Sequence, residues 1–236
     1  MKKLMVVALA VGVLAAPALA SIKDSKHDLS VHSTATIKSD YDELCIFCHT
    51  PHQASTTVSN APLWNRNTDG GVSSFTTADL YDSQSLTPAS KPDAAGLLDA
   101  IKNSDVPLCL SCHDGTGMAS GIIHKGAEAA PPVFTGGDGP GNDQIGGRAN
   151  LKDGGNVLKD DHPIGMVYDD VVTAKSDDFN AVVDGVIPGP GGRDLPLFGG
   201  RMWCASCHAV HGVPGVDSFL RASNEQSGLC LACHNK

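Results

Sequence analysis

All eight cysteines of the chain fall into Cys-x-x-Cys pairs, and each pair is followed at once by histidine: Cys45-Ile-Phe-Cys48-His49, Cys109-Leu-Ser-Cys112-His113, Cys204-Ala-Ser-Cys207-His208 and Cys230-Leu-Ala-Cys233-His234. On one turn of helix, residues i and i+3 both reach the vinyl groups of a porphyrin as thioethers, while residue i+4 turns its imidazole to the iron. C-x-x-C-H is the pattern of covalent c-type haem attachment. Zinc sites, redox dithiols and structural disulfides also use C-x-x-C, but none of them requires the histidine. With 10 His in 236 residues, chance places a histidine after four given pairs with a probability on the order of 10⁻⁶. The spacing therefore predicts four covalent c-type haems. Cys45, Cys48, Cys109, Cys112, Cys204, Cys207, Cys230 and Cys233 attach them, and His49, His113, His208 and His234 are the proximal ligands. No cysteine remains for a disulfide or a thiol nucleophile.

The sixth iron ligand separates electron transfer from catalysis, because an iron with a free position can bind and transform small molecules. Six histidines remain, His27, His32, His52, His124, His162 and His211, against three methionines beyond the N-terminal segment, Met118, Met166 and Met202. This surplus predicts bis-His ligation throughout, and with it low potentials. His52 and His211 each follow a proximal histidine by three residues, too short a link to carry an imidazole round the ring edge to the other face of the same haem. Each is therefore expected to ligate a neighbouring haem, in this chain or another. His162 precedes Pro163, which holds its backbone extended, and is expected to be a ligand. His27 is expected over the distal face of the first haem. His32 and His124 are the expected spares.

The elements that must position these residues are weak. The chain is 41% apolar but only 5% aromatic, and its 26 Gly and 14 Pro far outnumber 6 Phe, 3 Tyr and 2 Trp. Side chains alone make a thin core for this length, so porphyrins are expected to supply the missing apolar surface. The expected fold is mostly coil with short α-helices and few short strands, a haem-organised multihaem cytochrome c. A short helix is expected within Pro92–Asn103, and short strands in the β-branched runs Gly165–Ala174 and Ala181–Ile187. Gly126–Gly155 and Gly185–Gly200 are expected as surface loops. Trp203 is expected to pack against haem, and Tyr41, Tyr81 and Tyr168 carry no evident role.

Residues 1–20 read as a signal peptide: Lys2 and Lys3, an apolar run from Leu4 to Leu14, and Ala18-Leu19-Ala20 before a cut at Ser21. The apolar run is shorter than the roughly 20 residues that span a bilayer. Residues 21–236 form the expected tetrahaem cytochrome c domain, exported and without a membrane span. Its charge falls from −9 to −11, since two of 17 basic residues leave and all 26 acids stay. No basic run follows the first residues, so nucleic acid is excluded as a partner. An acidic carrier is steered toward basic patches on redox partners in a salt-dependent way.

At His27-Asp-Leu-Ser, Cys45-Ile-Phe-Cys-His-Thr-Pro-His52, Cys109-Leu-Ser-Cys-His-Asp-Gly115, Asp161-His-Pro-Ile-Gly165 and Cys230-Leu-Ala-Cys-His-Asn-Lys236, the chain resembles the secreted multihaem c-type cytochromes of metal-reducing bacteria. By haem count and size it is similar to their tetrahaem, filament-forming members. The resemblance implies bis-His haems stacked in one continuous row that carries electrons to extracellular acceptors at the cell surface. It also implies that a histidine placed as His52 crosses to a haem of the adjacent subunit, that His27 serves the first haem, and that His162 and His211 serve later ones. Self-association into a filament and contact with redox partner proteins follow from it.

The expected activity is therefore electron carriage, without transformation of a substrate. A monomeric periplasmic tetrahaem shuttle is the nearest alternative. A multihaem reductase needs an open axial position, and no C-x-x-C-K variant is present to suggest one.

Overall fold

Frequent Gly and Pro keep the regular elements of the described residues short. The computed structural model describes residues 22–59, 61–68, 75–127, 130–152 and 158–235. The expected signal peptide, 1–20, lies outside the described residues. Six α-helices are present among those described: α1 (Leu97–Lys102), α2 (Val106–His113), α3 (Met118–Gly121), α4 (Tyr168–Ala174), α5 (Cys204–Cys207) and α6 (Gly228–Cys233). The strands are two antiparallel pairs of two residues each. Strand β1 (Lys38–Ser39) pairs with β2 (Phe134–Thr135), and β3 (Val186–Ile187) pairs with β4 (Leu195–Pro196). The fold is thus mostly coil with short helices and few short strands, as the composition predicts.

Two local expectations are corrected. Gly165–Ala174 is not a strand: Asp169 and Asp170 occupy the first turn of α4, where the helix dipole favours acids, and Tyr168 and Val171 bury one helical face. In Ala181–Ile187 only Val186 and Ile187 form a strand. The helix expected from Pro92 begins instead at Leu97, because Gly96 takes a left-handed conformation (φ 74°) that ends helical continuity on its N-terminal side. The Gly-rich segments are not wholly loop, since β2 lies in one and both β3 and β4 lie in the other.

The core is divided into three small clusters, and each touches haem-motif residues. Tyr41, Ile46, Phe47, Met118, Ile122 and Phe134 form the first, with Cys48 and Cys112 packed against it. Phe75, Leu80, Leu97, Ile101, Val106, Leu110, Leu158 and Trp203 form the second, beside Cys204. The third gathers Met166, Tyr168, Val171, Ile187, Leu195, Met202, Ala222, Ala232 and Cys233. All three candidate methionines are therefore core residues. Among the described residues no helix is long and apolar enough to cross a membrane.

Candidate haem centres

Each C-x-x-C-H motif closes one helical turn. His49, His208 and His234 donate their backbone N–H to the carbonyls of Cys45, Cys204 and Cys230 at 2.8, 2.9 and 2.9 Å, and the second motif ends α2. This is the local geometry that brings two thiols and one imidazole to the same side.

Cys48, Cys204, Cys207 and Cys233 lack the depressed pKa that a redox dithiol needs. Burial pushes Cys48 up to about 12 and Cys233 up to about 11, and it also raises Cys207. Cys204 is raised by its hydrogen bond with Cys109 and then by burial. The zinc alternative fares no better. Among the described residues, the group nearest to a metal site is Asp105, Cys109 and Cys204. It takes one cysteine from each of two motifs and leaves Cys112 and Cys207 outside.

Electrostatic neighbours link the motifs in sequence order. Cys48 is within reach of Cys112, Cys109 lies against Cys204, and Cys207 is within reach of Cys230. The attachment points of successive motifs therefore adjoin.

The histidines sort into pairs. His27 and His113 have ring centroids 6.2 Å apart, His49 and His211 6.1 Å, and His162 and His234 6.3 Å. An iron holding one imidazole nitrogen on each side at about 2 Å separates two ring centroids by about 6 Å. Three pairs thus have the spacing of a bis-His iron, and each joins one proximal histidine to one of the expected distal residues. His211 stands beside the proximal histidine of another motif, in keeping with its short link to His208. His27 stands beside His113 of the second motif, whereas the sequence reading placed it over the first haem. The chain between His27 and Cys45 folds into turns around Asp28 and pairs β1 with β2, which carries His27 past the first motif. His27 also stacks on Phe219 at 4.3 Å. Burial first, and then His113, push its pKa down to about 4, so its ring is neutral at pH 7 and keeps a lone pair.

Ring hydrogen bonds differ between three of the expected ligands and the two expected spares. His49 and His113 donate Nδ1–H to the carbonyls of Pro62 and Ala149, both at 2.6 Å, and His162 donates Nδ1–H to Pro163 at 2.8 Å. A backbone carbonyl accepts from one ring nitrogen and leaves Nε2 unprotonated for a metal. In the two expected spares Nε2 is engaged instead: His32 contacts Asp42 at 3.0 Å, and His124 donates to the Gln53 carbonyl at 2.9 Å. His124 so holds the turn that carries His52.

His52 and His208 are left. Both are exposed, and neither has an aromatic ring partner among the described residues; the ring of His208 bonds the backbone of Ser218.

Buried polar atoms without partners also fit a bound porphyrin, which brings acceptors of its own. Trp64 Nε1, Arg66 Nη1 and Thr68 Oγ1 are buried and unpaired, at every second position of one extended segment. Trp64 packs edge-on to His49 at 5.9 Å. The residues present therefore fit covalent haem.

Several positioning residues escaped the sequence reading. Asp28, 2% exposed, accepts from Asp24 N at 2.9 Å, Ser30 N at 3.1 Å and Ser30 Oγ at 2.7 Å, fixing the turn that presents His27. The Asp-x-Ser spacing is the signal that could have found it. Asp28→Ala removes the acceptor of three bonds and is expected to cost about 2 kcal/mol, read as a lower thermal midpoint of the haem-loaded protein. An unchanged midpoint would show the turn to be held by other contacts. Tyr168, without a role in the sequence, donates to the carbonyls of Asn180 at 2.9 Å and Cys233 at 3.3 Å and ties the fourth motif to α4. Trp203 lies in the second cluster and donates Nε1–H to Phe198 O at 3.2 Å. Gly165 (φ 84°) lets the His162 loop close on the core, where a Cβ would meet Leu97 Cδ1 at 2.7 Å.

Four turns of C-x-x-C-H, three histidine pairs at the spacing of one iron and a core split into small clusters describe a haem-binding protein of the c type. Residues 196–236, which hold the third and fourth motifs, match the family of the doubled CXXCH motif. The paired motif suggests a multihaem c-type cytochrome that works as an electron carrier. A comparison with curated proteins gives no match.

Proposed function

We propose that the chain is an exported electron carrier with four covalent c-type haems, each bis-His ligated, and that it works extracellularly as the subunit of a polymeric cytochrome filament. The bound groups would each supply one-electron oxidation and reduction. The chain's own residues attach them, fix their axial ligands and set their neighbours. In this reading His49 and His211, His113 and His27, and His234 and His162 hold three irons within one chain. His208 is the proximal ligand of the fourth, and its sixth ligand is His52 of an adjacent copy.

One observation carries the filament reading: among the described residues, His52 and His208 are the two expected ligands without a ring partner, and both are exposed. A donor on one surface and an acceptor on another make a head-to-tail interface, which propagates into an open helical polymer when the rotation does not close. The backbone supports this presentation, because Thr50 and the His124 ring brace the turn at His52.

The test is His52→Ala in the secreted, haem-loaded protein, followed by electron microscopy and haem quantification. Long filaments from the unmodified protein and only discrete particles from the variant, with four haems per chain in both, are the expected results. Filaments that persist in His52→Ala would remove ligation across subunits, and discrete particles from both proteins would make the chain a diffusing shuttle.

A further inference from the structure

The loop 209–220, which follows the third motif, touches histidines expected at three different irons. His208, the expected proximal ligand at its start, bonds the backbone of Ser218. His211 faces His49 of the first motif at 6.1 Å. His27, from the other end of the chain, lies against the same loop. Its ring bonds the backbone of Val210 and stacks on Phe219, with centroids 4.3 Å apart and planes 14° apart. The Val210 bond favours a protonated ring nitrogen, so His27 is its donor and the carbonyl accepts. The second ring nitrogen keeps the lone pair that an iron needs.

Phe219 is placed for this contact and not for the core. It is half-buried and belongs to none of the three apolar clusters among the described residues. Ser218 and Phe219 both take left-handed backbone conformations, φ 57° each, which a side chain as bulky as phenylalanine rarely adopts. Such outliers persist where surrounding contacts over-determine them. Here Ala209 N donates to the Phe219 carbonyl at 2.7 Å, and Arg221 N donates to the Cys207 carbonyl at 2.8 Å. The bend that presents the Phe219 ring is thereby tied back to the third motif.

We propose that Phe219 is a positioning residue: with the Val210 carbonyl it forms a seat that fixes the imidazole plane of His27 at the iron of the second motif. The Asp28 turn holds the backbone of His27, which leaves rotation of the ring as the remaining freedom. The bond to Val210 fixes one edge of the ring, and the stack on Phe219 fixes its plane. Ligand orientation by residues that do not touch the metal is a general feature of imidazole sites. In a low-spin ferric haem, the planes of the axial imidazoles set the anisotropy of the electron paramagnetic resonance signal, so a loosened ring is visible while the ligand stays bound. The inference rests on the bis-His reading, with His27 and His113 on one iron.

The experiment compares the haem-loaded full chain with Phe219→Leu, which keeps apolar volume without a ring face, and Phe219→Tyr, which keeps the face. Haem quantification and the absorption spectrum of the unmodified protein come first. Fewer than four haems, or an unaltered spectrum in His27→Ala, would remove the bis-His pair on which the inference rests, whatever Phe219 does. With four low-spin haems in place, Phe219→Leu is expected to shift the resonance signal of one haem, the one that His27→Ala converts to high spin. That haem should also bind cyanide roughly fivefold faster, since a stacked aromatic pair contributes about 1 kcal/mol to holding the ligand ring in place. Phe219→Tyr should reproduce the unmodified protein in both measurements. A leucine variant with four haems, an unchanged resonance signal and unchanged cyanide kinetics overturns the proposal, and so does a tyrosine variant altered as much as the leucine one. If Phe219→Leu fails to load haem, solid-state NMR of the reduced, isotope-labelled unmodified protein decides: a contact between the Phe219 and His27 rings is expected, and its absence overturns the proposal.

Discussion

A form of this chain with all eight cysteines replaced by alanine is expected to give a coil-like circular dichroism spectrum and no cooperative thermal transition. The expectation comes from how the apolar residues are distributed. Among the described residues the largest cluster contains nine buried residues, the longest helix spans eight, and each strand spans two. Helices this short are unstable in isolation, and a two-stranded pair needs further packing to persist. Each cluster also has motif residues at its edge, so losing the covalent groups would strip all three of packing at once. Cooperative, native-like unfolding of the haem-free chain would show that side chains suffice, and would refute a haem-organised fold.

The second large effect concerns His27. Replacing it with alanine is expected to leave four haems attached and to convert one of them to a high-spin form that binds carbon monoxide or cyanide. The change should fall on the haem of His113, whose ring stands 6.2 Å from that of His27. His32→Ala is the matched control: His32 is occupied by Asp42, and its loss should leave every haem low-spin. A His27→Ala protein with an unaltered spectrum would exclude His27 as a ligand. Because Phe219 stacks on His27, a small loss of stability should accompany the spectral change without explaining it.

The contrast between these two experiments reflects what the sequence can carry. The expected attachment is local: five consecutive residues close one turn, so the eight cysteines with His49, His113, His208 and His234 are named as candidates without any fold. The proposed distal pairing is not local. His27 meets His113 and His211 meets His49 only after turns, two-residue strands and glycine-dependent bends have been built, and no periodicity records those. The same limit explains α4. Val171, Val172 and Thr173 have strand propensity, yet Asp169 and Asp170 at the helix start, with Tyr168 and Val171 on one buried face, decided for helix. Arg66 was silent in the sequence because a buried cation differs from a surface one only in its surroundings.

The expected spares differ from three of the expected ligands in their ring bonding. His32 and His124 lacked sequence context, and the structure commits their Nε2 atoms to Asp42 and to the Gln53 carbonyl. His49, His113 and His162 commit Nδ1 instead. Orientation of a ligating imidazole by a backbone carbonyl is a common second-sphere arrangement at metal sites.

The most direct test of the account is the intact mass of the purified protein under denaturing conditions, followed by peptide mapping of the four motifs. Covalent haem on Cys45/Cys48, Cys109/Cys112, Cys204/Cys207 and Cys230/Cys233, four groups per chain, is the predicted result. Free thiols, disulfides or a mass without haem at any of these pairs would contradict it.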